Sequence, residues 1–215
     1  MLLDPTLTLA YTIIAAAVAI SPGPDVLFVV ASGMRHRVKG AVASALGIAF
    51  GSVLHASAAA LGVSAIIAAS PLAFDLLRYG GAAYLLFLGC QAILSFLRST
   101  RKTNAQSVEA EVSAWRVFQH GLFTNILNPK VIVFYLALLP QFVTIELGNV
   151  GLQIFLLGSI HNLIGFCFLI CVGLAAGHAS SWLQRTGFGR WMDGIAGIFF
   201  IGIAIRLMVS DSSAR

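Results

Sequence analysis

Asp25 and Lys130 each follow a proline inside a long apolar run. Asp25 ends Ser21-Pro22-Gly23-Pro24-Asp25, and Lys130 ends Asn128-Pro129-Lys130. An ionisable residue within a membrane span costs at least ~2.5–3.5 kcal/mol on insertion scales, so each needs a partner or a wet cavity. Opposite charges in matching contexts suit a zwitterion: Asp25 would face an ammonium and Lys130 a carboxylate. The ends of broken helices reinforce this, because their free N–H groups favour anions and their free carbonyls favour cations. The alternative is a plain Asp25–Lys130 ion pair that closes the core. A pair that parts when substrate enters would be a gate. Asp25 is also the expected proton carrier, since burial penalises its charged form.

Further polar residues stand close by in the chain. Ser21 opens the first break, and Asn125 and Asn128 flank the second. An amide offers donors and an acceptor without charge, which suits a substrate and equally suits carbonyls freed by a proline. His55 and His161 lie inside apolar runs. Imidazole exchanges protons near neutrality, so Asp25, His55 and His161 form a candidate proton relay. Hydrogen-bonded contacts between helices are the plainer role for both histidines. Two histidines and one aspartate could bind a metal, but no close ligand spacing supports it; neither a metal site nor a cofactor is expected. Cys90, Cys167 and Cys171 all fall in apolar runs without a Cys-x-x-Cys pair, and read as small buried hydrophobes.

The elements that must hold these residues are membrane helices. The chain has 215 residues, 59% of them hydrophobic and 10% charged, with mean hydropathy +0.93. Soluble domains carry roughly 25% charged residues. Apolar windows of about 20 residues or more fall at 7–31, 40–68, 72–97, 117–143, 148–177 and 187–209. Six helices leave no room for a soluble catalytic domain, so an enzyme is not expected. The start does not read as a cleavable signal peptide, because it lacks a basic region and Asp4-Pro5 precedes the apolar run. Proline removes a backbone donor, and the bilayer offers no water in exchange. Pro22, Gly23, Pro24 and Pro129 are therefore helix-break residues, of the kind that persists where a cavity is lined.

The polar stretch 98–116 divides the chain into two three-helix repeats, 1–97 and 117–215, joined by a cytoplasmic linker. The halves share landmarks in the same order. Pro24-Asp25-Val26-Leu27 matches Pro129-Lys130-Val131-Ile132, His55 after Gly51-Ser52 matches His161 after Gly158-Ser159, and Phe87-Leu88-Gly89 matches Phe200-Ile201-Gly202. Three helices per half force the second repeat to insert upside down. The expected fold is an all-α membrane protein of six transmembrane helices in two inverted repeats, with Pro-broken helices 1 and 4. Such repeats supply the two conformations of alternating access, which favours a carrier.

Charge sets the orientation. Nine Lys/Arg fall on one side, at Arg35, Arg37 and Lys39, at Arg98, Arg101, Lys102 and Arg116, and at Arg185 and Arg190; three fall on the other. The positive-inside rule puts the nine in the cytoplasm and both termini outside. The net charge of +5 reads as topology, and no interleaved aromatic pattern points to nucleic acid. Ala43, Gly47 and Gly51 recur every four residues, as do Gly173 and Gly177. Small residues in register let helices approach closely, and such faces make a homodimer the candidate assembly.

The segment from Ile20 to Gly51, with S-P-G-P, L-F-V-V and A-S-A-L-G-x3-G, resembles the signature of the lysine exporter (LysE/RhtB) family. So does G-L-F-T-N-I-L-N-P-K followed by F-Y-L-A-L-L-P-Q-F at 121–142. The resemblance covers essentially the whole chain. It implies efflux of amino acids or related small amino metabolites across a bacterial inner membrane, driven by proton antiport. The motif positions it matches are Ser21, Pro22, Gly23, Pro24, Asn125, Asn128, Pro129 and Lys130; the position of Asp25 varies in the family and is often polar. The alternative is an inorganic (heavy-metal) ion exporter on the same scaffold.

Overall fold

The computed structural model describes residues 2–69, 71–98 and 113–185, with seven single positions between Gly194 and Met208. Side chains are described only in part over 63–98 and not over 178–185. Most of the linker, and most of the sixth expected span, lie outside the described residues. Among the described residues every regular element is helical.

Helix α1, Pro5–Ile20, starts where the Asp4 carboxylate accepts from the Leu7 amide at 2.9 Å. Pro5 occupies the first turn, where its missing N–H goes unneeded. Sixteen residues rise about 24 Å, short of the ~30 Å hydrocarbon core, because Ser21-Pro22-Gly23 ends the helix. The next, α2, is Pro24–Ala69, interrupted at Arg37 (φ 51°, ψ −139°). Val29 and Ala41 would both lie within 3 Å of a Cβ placed on Gly173, yet twelve residues of straight helix span about 18 Å. The chain therefore folds back at Arg37 into two antiparallel arms, 24–36 and 38–69. The basic stretch that carries Arg35, Arg37 and Lys39 is helical except for the reversal at Arg37.

Helix α3 is Pro71–Arg98 and α4 is Ala114–Ile126. The second break follows at Leu127 and Asn128. Helix α5, Pro129–Val133, begins where Asn128 Oδ1 accepts from the Lys130 amide at 3.1 Å. It runs on as a π turn over Phe134–Leu138 and a 3-10 turn over Leu139–Phe142. Across this break the chain bends by 50° between Ala114–Ile126 and Pro129–Phe142. Buried Gln153 ties off the following loop, donating to the Thr144 and Gly148 carbonyls at 2.8 and 2.6 Å and accepting from the Thr144 amide at 3.0 Å. Helix α6, Val150–Arg185, then crosses back.

Among the described residues, Pro24–Gly62, taken as its two arms together, and Val150–Gly177 are long and apolar enough to cross a membrane, and the bent pair makes a third if it counts as one span. The second arm of α2 is wedged against α4 and α6. A Cβ on Gly47 would run into the Phe118 carbonyl of α4, and one on Gly33 into the Gly173 carbonyl of α6. The small-residue ladder thus brings backbones together, as lipid-embedded helices require. The three cysteines depart from expectation. All are exposed, on an exterior that also carries Leu9, Ile13, Leu27, Leu61 and Leu163; i, i+4 spacing puts Cys167 and Cys171 on the outer face of α6.

Candidate functional site

The two helix breaks meet in the interior, and each is held by the residue that follows the other. After the second break, Lys130 donates its ammonium to the Ser21 carbonyl at 2.8 Å and the Val18 carbonyl at 3.3 Å. These belong to the last turn of α1, where carbonyls lack helical partners and the helix dipole is negative. After the first break, Asp25 Oδ2 accepts from Asn125 Nδ2 at 2.8 Å, just before the second break. The exchange is reciprocal, and both ions are buried, Asp25 at 7% exposure and Lys130 at 8%. Proline is what makes it available: Pro22, Pro24 and Pro129 free the carbonyls and re-aim the chain.

Asp25 and Lys130 border a common cavity of about 40 Å³ but form no direct ion pair within 4.0 Å. Two separate anchors stand in place of the closing pair that was the alternative reading. Asp25 Oδ1 is buried with no hydrogen-bond partner among the described residues, so one carboxylate oxygen is available to a cation. Lys130 has three N–H donors and spends two on α1. Gly23 lies beside it, since a Cβ there would be 3.2 Å from the ammonium nitrogen.

Asn125, 1% exposed, is the hub. Besides donating to Asp25, it accepts from Ser52 Oγ at 3.4 Å, and its backbone carbonyl lies 3.3 Å from His55 Nε2. Gly51 makes room, because a Cβ there would come within 2.6 Å of Asn125 Oδ1. Asn128 caps α5 and stands outside the cavity lining. Ser21 contributes its carbonyl; its hydroxyl reaches only the Pro22 carbonyl at 3.5 Å.

The histidines part company. His161 borders the cavity, its ring 4.0 Å from that of Phe134, and its Nδ1 has no partner among the described residues. His55 stays outside the lining and stacks on Tyr135 at 5.7 Å. Tyr135 meets His161 edge-on at 5.9 Å and donates to the Gly158 carbonyl at 3.2 Å. Ser52, Asn162, Gly165 and Phe166 also line the cavity and were not singled out from the sequence. Ser52 and Asn162 adjoin repeat landmarks, which was the one signal available. Among the described residues no three His, Cys, Asp or Glu side chains converge as metal ligands.

Small-molecule pockets begin at about 300 Å³, so a cavity of this volume has room for a few waters only. Its chemistry is a carboxylate oxygen, an ammonium and an amide, enclosed by apolar walls.

The chain is similar to known membrane proteins along nearly its whole length. The family description "LysE type translocator" matches residues 16–211. Membrane protein YrhP of Bacillus subtilis, itself uncharacterised, is 32% identical, covering 94% of this chain and 98% of its own. A leucine efflux protein of Enterobacter sp. is 31% identical over 92% of both chains, and one of Salmonella typhimurium 28% over 94% of both. No solved structure matches the chain.

Proposed function

The chain belongs to the LysE type translocator family, and on that premise we propose that it exports amino acids from the cytoplasm by proton antiport. The observation that carries this is the buried crossing of the two breaks, where Asp25 keeps one oxygen unpartnered beside the Lys130 ammonium. A substrate ammonium binds Asp25 Oδ1, and its carboxylate takes the remaining Lys130 donor. Asn125 holds Asp25 in place, and Ser21 holds Lys130. Leucine efflux proteins among the relatives support a neutral amino acid as cargo.

The cavity must expand to admit a substrate, and the breaks at 21–23 and 127–128 are where the helices can pivot. A proton arriving from outside competes with the substrate ammonium for Asp25. Protonated, the carrier returns and discharges the proton inside. We read the scaffold as six spans in two inverted repeats, 1–97 and 117–215, flanking a cytoplasmic linker at 98–116. The reciprocal contacts between the breaks support that pseudo-symmetry. On this reading the protein sits in a bacterial inner membrane with both termini outside, and a homodimer remains the candidate assembly. His161, bordering the same cavity as Asp25, is the histidine that joins it in proton transfer.

Uptake of a labelled amino-acid panel into inverted membrane vesicles, with and without a proton gradient, tests the reading. Gradient-dependent accumulation of one or a few amino acids is expected. Accumulation that persists after the gradient is dissipated would remove proton coupling. Protection of cells against a heavy metal, with no amino-acid uptake, would replace this reading with inorganic-ion export.

A further inference from the structure

Gly165 lies in the middle of α6, where glycine costs about 1 kcal/mol relative to alanine. Other described glycines offset that cost with close contacts. A Cβ on Gly33, Gly47 or Gly121 would strike a neighbouring backbone, and one on Gly158 would come within 2.9 Å of both Ala56 and Tyr135. Gly165 has no such neighbour. A Cβ there would meet only the Ala19 Cβ within 4 Å, at 3.9 Å, an ordinary contact. Gly62, Gly80 and Gly202 are also uncrowded, but they are exposed on the outer surface. Among the described glycines, Gly165 is the one that borders the cavity shared by Asp25 and Lys130.

The missing side chain therefore makes room for something other than a helix. Ala19 of α1 and Ala49 of α2 are small residues on the same lining, while Val26, Ile48, Phe166 and Leu169 supply apolar wall. A zwitterion held by Asp25 and Lys130 would point its side chain among these groups. The other polar groups of the lining are Ser52, Asn125, His161 and Asn162. Beyond Asp25 and Lys130 it holds no carboxylate, ammonium or guanidinium among the described residues, so a charged side chain would be buried without a counter-ion, which is strongly unfavourable.

We propose that Gly165, opposite Ala19, sets the size of the side chain this carrier accepts, and that its substrates are neutral aliphatic amino acids. This deepens the exporter reading and rests on it. Enlarging position 165 narrows the space between α1 and α6, so large substrates lose affinity while small ones keep it. One methylene in an apolar pocket discriminates by about 10–200-fold, and the side chain of valine at 165 occupies at least that much.

The test compares wild-type protein, Gly165→Ala and Gly165→Val in proteoliposomes, measuring KM and maximal rate for alanine, valine, leucine, lysine and glutamate. The expected result is a fall of tenfold or more in the leucine-to-alanine preference for Gly165→Val, a smaller fall for Gly165→Ala, and little transport of lysine or glutamate by wild type. Ala19→Gly combined with Gly165→Ala should restore part of the preference. Gly165→Ala adds one methyl at an uncrowded position, so it keeps the test valid where valine impairs folding. Equal losses for every substrate, or an unchanged preference in folded Gly165→Ala, would overturn the proposal while leaving export intact. Wild-type protein that transports none of the five would instead overturn the exporter reading beneath it.

Discussion

Replacing Lys130 with methionine, similar in length and uncharged, removes one of the two anchors between the breaks. Both bonds from the ammonium, at 2.8 Å to Ser21 and 3.3 Å to Val18, are lost. Hydrogen bonds to charged groups contribute about 1.5–3 kcal/mol each, which for two bonds gives roughly 3–6 kcal/mol. Polar contacts measured by double-mutant cycles within membranes average only ~0.6 kcal/mol, because the unfolded chain also finds partners. Here the larger figure governs, since the substitution also leaves Asp25 buried without a cation nearby. Breaking a buried ionic arrangement in this way costs about 3–5 kcal/mol. At roughly 2–4 °C per kcal/mol for a chain of this length, the melting temperature should fall by about 6–20 °C. Circular dichroism in detergent, followed through thermal unfolding, reads this directly. Asp25→Asn in the same background should recover part of the loss, since it removes the stranded charge. A Lys130→Met protein that melts within 2 °C of wild type and still accumulates substrate would refute the reasoning.

Three other outcomes follow from the geometry. Asn125→Leu deprives Asp25 of the one side-chain hydrogen bond it has among the described residues and should reduce transport by about 100-fold, as misplacement of a binding group does, with initial uptake rates as the measure. His161→Gln should change how the uptake rate varies with pH, whereas His55→Gln, outside the cavity lining, should leave the profile in place with a modest loss of stability. Gly47→Val forces a side chain into the Phe118 carbonyl and should abolish folded protein in size-exclusion chromatography, whereas Gly62→Ala, exposed and uncrowded, should be neutral.

Proline and charge made the breaks legible in the sequence. A proline at depth has no cheap explanation in a bilayer, so Pro22, Pro24 and Pro129 marked both interruptions, and the structure ends or bends helices at each. Glycine spacing likewise announced the close approach of α2 to its neighbours. The partners of Asp25 and Lys130 were not legible. Sequence offered two charges and the obvious pairing between them, but backbone carbonyls carry no sequence signature, and those of Val18 and Ser21 claim the ammonium. Nor could it tell His55 from His161, because both follow a Gly-Ser pair inside an apolar run while the path of each helix past the cavity differs. Arg37 hid its role for a related reason. A basic stretch reads as a loop, yet helical backbone on both sides confines the reversal to one residue with positive φ. Gly165 resembled every other membrane glycine until its neighbours could be counted.

The central claim is that the crossing of the two breaks holds a zwitterion by both of its charges. Its most direct test is gradient-driven accumulation in proteoliposomes of three compounds with the same carbon skeleton: leucine, its decarboxylated amine and its deaminated acid. Strong accumulation of leucine alone is predicted, abolished by Asp25→Asn and by Lys130→Met. Equal accumulation of the amine or the acid, or leucine transport that survives both substitutions, would contradict the account.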